Sequence, residues 1–133
     1  MSAHRLLMVD DEPEIGRLVA RVASGCGYEA RVTHDPKAFK LIYAEFAPDV
    51  VALDLSMPDV DGIELLRFLA DTGCQAPVLI LSGFDARIRE AAQLLGATRG
   101  LRMSGIIPKP VRVADLQAIL HGLKRESSGH GTV

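Results

Sequence analysis

Apolar and polar positions along the chain follow two periods that take turns. Leu6-Leu7-Met8-Val9 is a short unbroken apolar run, the pattern of a buried strand. From Pro13, a residue suited to the first turn of a helix, Ile15, Leu18, Val19, Val22 and Ala23 recur at helical spacing, and Gly25 and Gly27 close the segment. Residues 29–33 alternate polar and apolar, as a half-exposed edge strand does. Asp35-Pro36 supplies a cap followed by proline at the first helical position, the stripe Phe39, Ile42, Tyr43 and Phe46 follows, and Pro48 ends it. Val50-Val51-Ala52-Leu53 is wholly apolar and hence a central strand. Asp61 is placed to cap a helix striped by Leu65, Leu66 and Leu69. Val78 to Leu81 repeats the central-strand pattern, Asp85 can cap a helix striped by Ile88, Ala91, Ala92 and Leu95, and Ile106-Ile107 reads as a short last strand. Leu116, Ile119, Leu120 and Leu123 stripe the final helix, and ESSGHGTV reads as a polar, flexible free end or linker stub. The expected division is therefore a folded domain over 1–125 and a tail over 126–133.

Five strands alternating strictly with five helices call for a parallel sheet wrapped in helices, and right-handed crossovers favour a doubly wound α/β arrangement. The flavodoxin-like order 2-1-3-4-5 puts strands one and three side by side at the switch point, where ligands bind beyond the carboxyl ends of the strands. The 133 residues, 48% hydrophobic and 24% charged, suffice for one core. A formal net charge of −2 gives no nucleic-acid footprint. No apolar run approaches the roughly 20 residues of a membrane span, and the start of the chain lacks a signal-peptide core, so a cytoplasmic protein with no membrane partner is expected. Cys26 and Cys74 have neither CxxC nor zinc spacing and read as free, partly buried thiols; His4, His34, His121 and His130 are scattered and read as surface residues.

The strand ends carry the candidate chemistry. Strand one runs into Asp10-Asp11, strand three into Asp54, strand four into Ser82-Gly83, and strand five into Lys109-Pro110. Each has an ordinary reading alone: a helix cap, an acidic turn continued by Glu12, a Ser-Gly turn, a surface loop. Together at one switch point they differ. Three converging carboxylates repel one another at low effective dielectric and call for a cation, and an all-oxygen donor set suits Mg²⁺. A neighbouring hydroxyl and ammonium then complete a pocket for phosphoryl oxygens.

Over residues 5–125 the sequence resembles the receiver domain of two-component response regulators. The likeness rests on VDDEP at 9–13, DLSMPDVDG at 54–62, LSG at 81–83, LLGA at 94–97 and PKP at 108–110, in order and each at an expected element end. The resemblance implies that Asp54 is the phosphoacceptor, that Asp11 is a direct Mg²⁺ (or Mn²⁺) ligand with Asp10 ordering metal-bound water, and that the Ser56 carbonyl supplies a further ligand. It implies that Lys109 pairs with Asp54 and the phosphoryl group, that Ser82 is the switch hydroxyl, that Gly83 keeps its approach open, and that Pro110 follows a cis peptide. Met57, Pro58, Asp59 and Gly62 would shape the loop after the acceptor, and Ser56 and Phe84 would flank the acyl phosphate and set its lifetime. The implied partners are a sensor histidine kinase or phosphotransfer protein and an unknown output protein or domain, with a phosphorylation-dependent dimer as one form of output. Beyond self-catalysed phosphotransfer and autodephosphorylation no enzyme activity is expected. A phosphatase of the haloacid dehalogenase type needs a second Asp where Ser56 stands. An FMN binder needs a phosphate cradle where Asp10-Asp11-Glu12 stands. A degenerate receiver, serving only as a binding module, would lack part of the acidic, Ser and Lys set.

Two departures stand out. Ile106 occupies the position where most receivers carry Tyr or Phe. The segment from Gly96 to Ile106 (GATRGLRMSGI) reads as an extended turn, and its continuation GLRMSGIIPKP resembles receivers joined to cyclic-di-GMP phosphodiesterase domains.

Overall fold

The computed structural model describes residues 4–56, 61–83 and 85–130 (for 61 and 127–130, the backbone). Its elements are β1 (His4–Val9), α1 (Pro13–Gly25), β2 (Tyr28–Thr33), α2 (Pro36–Phe46), β3 (Val50–Asp54), α3 (Asp61–Asp71), β4 (Pro77–Ser82), α4 (Ala86–Thr98), β5 (Arg102–Pro108) and α5 (Val113–His130). The strands form one parallel sheet in the order β2-β1-β3-β4-β5, the flavodoxin-like order expected from the sequence. No described helix is long and apolar enough to cross a membrane.

The sheet is buried on both faces because alternate residues of each central strand serve different layers. Leu7, Val9, Val51, Leu53, Val78 and Ile80 pack with Phe39 and Phe46 of α2, the leucines of α3 and Ala92 of α4. Leu6, Met8, Val50, Ala52, Leu79, Leu81 and Ile107 pack on the opposite face with Val19, Val22 and Ala23 of α1 and Leu116, Leu120 and Leu123 of α5. Cys26 and Cys74 are free and buried.

Capping chemistry sets several boundaries. The Asp35 carboxylate accepts from Ala38 N–H at 2.8 Å, and that of Asp85 from Arg87 and Ile88 N–H at 3.0 and 3.3 Å. Gly27, at φ +89°, supplies the left-handed residue that turns the chain from α1 into β2.

Four readings of the sequence need correction. Asp61 is the first residue of α3, not the residue before it. The helix starts there because Gly62 lets its first turn lie against the end of β3: a Cβ at Gly62 would stand 2.9 Å from Leu55 Cδ2 and 3.0 Å from the Asp54 carbonyl oxygen. The polar residues just past 125 continue α5 to His130 instead of opening a tail, since nothing before Gly129 breaks the helix. The last strand is Arg102–Pro108, not Ile106-Ile107 alone, and the 96–106 segment is not an extended turn. Its first residues finish α4, Gly100 turns the chain at φ +85°, and buried Leu101 anchors the turn through its N–H to the Gly96 carbonyl at 2.9 Å. The strand then pairs Val78 with Met103 and Leu79 with Gly105, so that Ser104 is bulged out. Ser104 and side-chain-free Gly105 interrupt the apolar pattern, which hid the strand.

Candidate functional site

The carboxyl ends of β1, β3, β4 and β5 meet on one edge of the sheet. Asp10 follows β1, with its N–H on the Thr33 carbonyl at 3.0 Å. The imidazole Nδ1 of exposed His34 lies 3.0 Å from the Asp10 carbonyl oxygen. Asp54 ends β3, and the next residue ties this edge to β4 through Leu55 N–H and the Leu81 carbonyl at 2.9 Å. Lys109 follows β5, its N–H donating to the Ser82 carbonyl at 2.8 Å, and the Lys109–Pro110 peptide is cis. Each side chain is thus placed by the backbone of a neighbouring strand.

The Asp10 and Asp54 side chains are both fully buried, and Ser82 is buried beside them. Asp10 Oδ1 accepts from Glu12 N–H at 2.8 Å, and Asp54 Oδ1 accepts from Ser56 N–H at 2.8 Å. Lys109 Nζ stands 3.0 Å from Asp54 Oδ1, 3.3 Å from Asp10 Oδ2 and 2.9 Å from Glu12 Oε1. Carboxylate oxygens of Asp10, Asp11, Glu12 and Asp54 all lie within 4.8 Å of one another. Among the described residues, Asp54 Oδ2 has no hydrogen-bond partner, and Asp10 Oδ2 has the ion-pair contact with Lys109 alone.

The electrostatics follow from this crowding. Burial, reinforced by the charge of Asp54, pushes the Asp10 carboxyl up to about 6, against the opposing pull of the Glu12 amide and Lys109. Burial pulls the Lys109 ammonium down, but the carboxylates of Glu12, Asp54 and Asp10 outweigh it and hold the group above its ordinary value. Two buried carboxylate oxygens without hydrogen bonds, beside a third and fourth acidic group, form an all-oxygen donor set suited to a hard divalent cation.

Asp10, Asp11, Asp54 and Lys109 come together in this pocket. Gly83 adjoins Ser56, whose Oγ would lie 3.5 Å from a Cβ placed there. Gly62 stands behind Asp54, and Pro110 is exposed beyond Lys109. Ile106 stands apart: it pairs with Ile80 and packs, half-buried, against the α2–α3–α4 layer. Met57, Pro58, Asp59 and Phe84 lie outside the described residues. Glu12 is the participant that the sequence reading left as a solvated turn residue. Its signal was the third acid of DDE, but contact with a lysine 97 positions away is not written in any local pattern.

A doubly wound sheet with an aspartate-centred pocket and a lysine at its switch point defines an α/β protein of the flavodoxin-like class, with its site at the strand ends. The profile of the response regulator receiver domain matches residues 6–121, and the chain belongs to that family. The transcriptional regulatory protein TrcR of Mycobacterium tuberculosis is 35% identical over 124 residues, covering 93% of this chain and 46% of TrcR. Response regulator MprA of Mycolicibacterium vanbaalenii is 32% identical over 124 residues, covering 93% of this chain and 52% of MprA. The chain spans about half the length of the curated relatives it matches. Among solved structures, a response regulator from Colwellia psychrerythraea has a TM-score of 0.79 at 27% identity, covering 94% of this chain and 99% of that one. The protein is a receiver domain of two-component signalling.

Proposed function

We propose that this receiver accepts a phosphoryl group on Asp54 from the phosphohistidine of a sensor histidine kinase or phosphotransfer protein. The observation that carries the reading is the Asp54 carboxylate: fully buried, with Oδ2 unpartnered among the described residues and Lys109 at 3.0 Å from Oδ1. Such a group is destabilised unless charge and hydrogen bonds arrive from a ligand. In the transfer, an Asp54 oxygen bonds to phosphorus as the P–N bond breaks, and the imidazole nitrogen keeps the bonding pair. Ser56 N–H orients the attacking carboxylate, and Lys109 offsets charge gathering on the phosphoryl oxygens. Asp10, Asp11, Asp54 and the Ser56 carbonyl would hold Mg²⁺ (or Mn²⁺), which when bound supplies charge neutralisation at the same oxygens. The chain turns over no substrate of its own; the acyl phosphate biases a two-state equilibrium, read by a partner domain or a second copy.

Incubation with acetyl phosphate tests the proposal. The expected result is a hydroxylamine-labile mass gain of one phosphoryl group that needs Mg²⁺ or Mn²⁺ and is absent from Asp54→Asn. Labelling without a divalent cation, or on another residue, would sink it. The stretch GLRMSGIIPKP, at 100–110, directs the search for an output toward cyclic-di-GMP phosphodiesterase domains, and a pull-down with the beryllofluoride-loaded protein, with sedimentation to detect a dimer, decides between outputs.

A further inference from the structure

Glu12 occupies the cap position of α1 yet makes no capping bond with its side chain. Its amide instead donates to Asp10 Oδ1 at 2.8 Å, and its carboxylate crosses to the end of β5 and accepts from Lys109 Nζ at 2.9 Å. Of the three carboxylates around that ammonium, Glu12 makes the shortest contact, and it has hydrogen-bond geometry. Asp54 Oδ1 and Asp10 Oδ2 stand at ion-pair distance only, so among the described residues Glu12 holds the hydrogen bond this ammonium makes, and a phosphoryl oxygen drawing the lysine toward Asp54 competes first with that bond. Asp54 carries the incoming group, and Asp10 is fully buried. The Glu12 side chain is 58% exposed, so water solvates it readily once released.

We propose that Glu12 is a positioning residue: it tethers Lys109 across the mouth of the resting pocket and surrenders it when an anion binds at Asp54. The release half of this proposal rests on the phosphoacceptor reading above; the tether half does not. The arrangement makes Glu12 a resistance to activation, because a phosphoryl group drawing Lys109 inward competes with the Glu12–Lys109 hydrogen bond. It also holds the lysine over the pocket, so that the ammonium swings only from one oxygen to the next.

Glu12→Gln keeps the volume and removes the charge. With no metal present, the Lys109 side-chain N–H resonance should be protected from water exchange in the wild type and lose that protection in the variant. With Mg²⁺ saturating, the variant should bind beryllofluoride more tightly by roughly two- to fivefold, the range that a solvent-facing ion pair is worth. Rescue of the protected lysine signal by Glu12→Asp would support the tether, since the charge returns. An unchanged lysine signal in Glu12→Gln would overturn it. So would a drop in Mg²⁺ affinity of about tenfold or more with the lysine signal intact, which would make Glu12 a cation ligand instead. If the wild type bound neither Mg²⁺ nor beryllofluoride, the phosphoacceptor reading would fall, and the metal-free lysine signal would still decide the tether.

Discussion

Asp10 and Asp54 are charges placed where a sheet protein ordinarily keeps apolar atoms, and the penalty is readable in Asp10. Its carboxyl titrates near 6 in the folded chain, against 3.8 when exposed. The folded state therefore binds the proton more tightly than the unfolded state, and this contribution to stability is full below about pH 4 and lost as pH rises through 6. A shift of about two units corresponds to roughly 3 kcal/mol. Urea midpoints in chelator should thus fall more steeply from pH 4.5 to 7 in the wild type than in Asp10→Asn; parallel profiles would contradict the assignment. Mg²⁺ should restore the wild type above pH 6 and do little for the variant. The candidate carboxylates, Ser82 and Lys109 were legible in the sequence because each stands at a strand end. The Glu12–Lys109 pair was not, because it depends on where two distant side chains reach after folding. His34, read as a surface residue, is indeed exposed, but its contact with the Asp10 carbonyl was equally invisible.

Among elements, the strands and helices with unbroken periodicity were legible to within a residue or two, and β5 was not. Its first half contains Ser104, bulged, and Gly105, which offers no side chain to the pattern. The junction of β3 and α3 is the element contact on which the acceptor depends. Gly62→Ala gains helix propensity, about 1 kcal/mol, but drives a methyl group to 3.0 Å from the Asp54 carbonyl oxygen. Overpacking typically costs about 1–3 kcal/mol, so a net loss of roughly 1 kcal/mol is expected, together with slower labelling of Asp54. Normal labelling with an unchanged melting temperature would show that the junction yields freely. Ile106 is β-branched and stiff at χ1, and it is packed on the α2–α3–α4 layer. It should keep one rotamer on beryllofluoride binding, and hydrogen exchange should change most across α4 and residues 99–106. A second Ile106 rotamer in the loaded crystal form would refute this.

At the scale of the whole molecule, the two apolar layers share no side chain among the described residues, and the sheet lies between them. Leu69, fully buried in α3, is one test of the first layer. Leu69→Ala should cost about 2–5 kcal/mol, measured by denaturant unfolding, while leaving the acidic pocket able to bind Mg²⁺. Loss of Mg²⁺ binding in a variant that remains folded would show that the site is not held by the strand backbones alone. The fold class was legible, because a parallel sheet buried on both faces writes itself as continuous apolar runs between helical stripes, and the strand order followed from assigning that pattern to the flavodoxin-like class.

The bulge at Ser104 has a consequence for insertions and deletions. In a regular strand, Met103 and Ile106 would point to opposite faces; here both pack against the α2–α3–α4 layer, because the bulged residue resets the alternation between them. Removing Ser104 would leave those two side chains two positions apart, on the same face, with the ladder closed up and both layers intact. Removing a residue from the middle of β4, which has no such irregularity in its pairing with β3, would turn half of its side chains through the sheet. The deletion of Ser104 should therefore yield a folded, phosphorylatable domain, whereas deletion of Leu79 should not fold at all. β5 carries one residue whose gain or loss is neutral in parity, and an alignment that counts the strand as unbroken will place Arg102 and Met103 on the wrong faces.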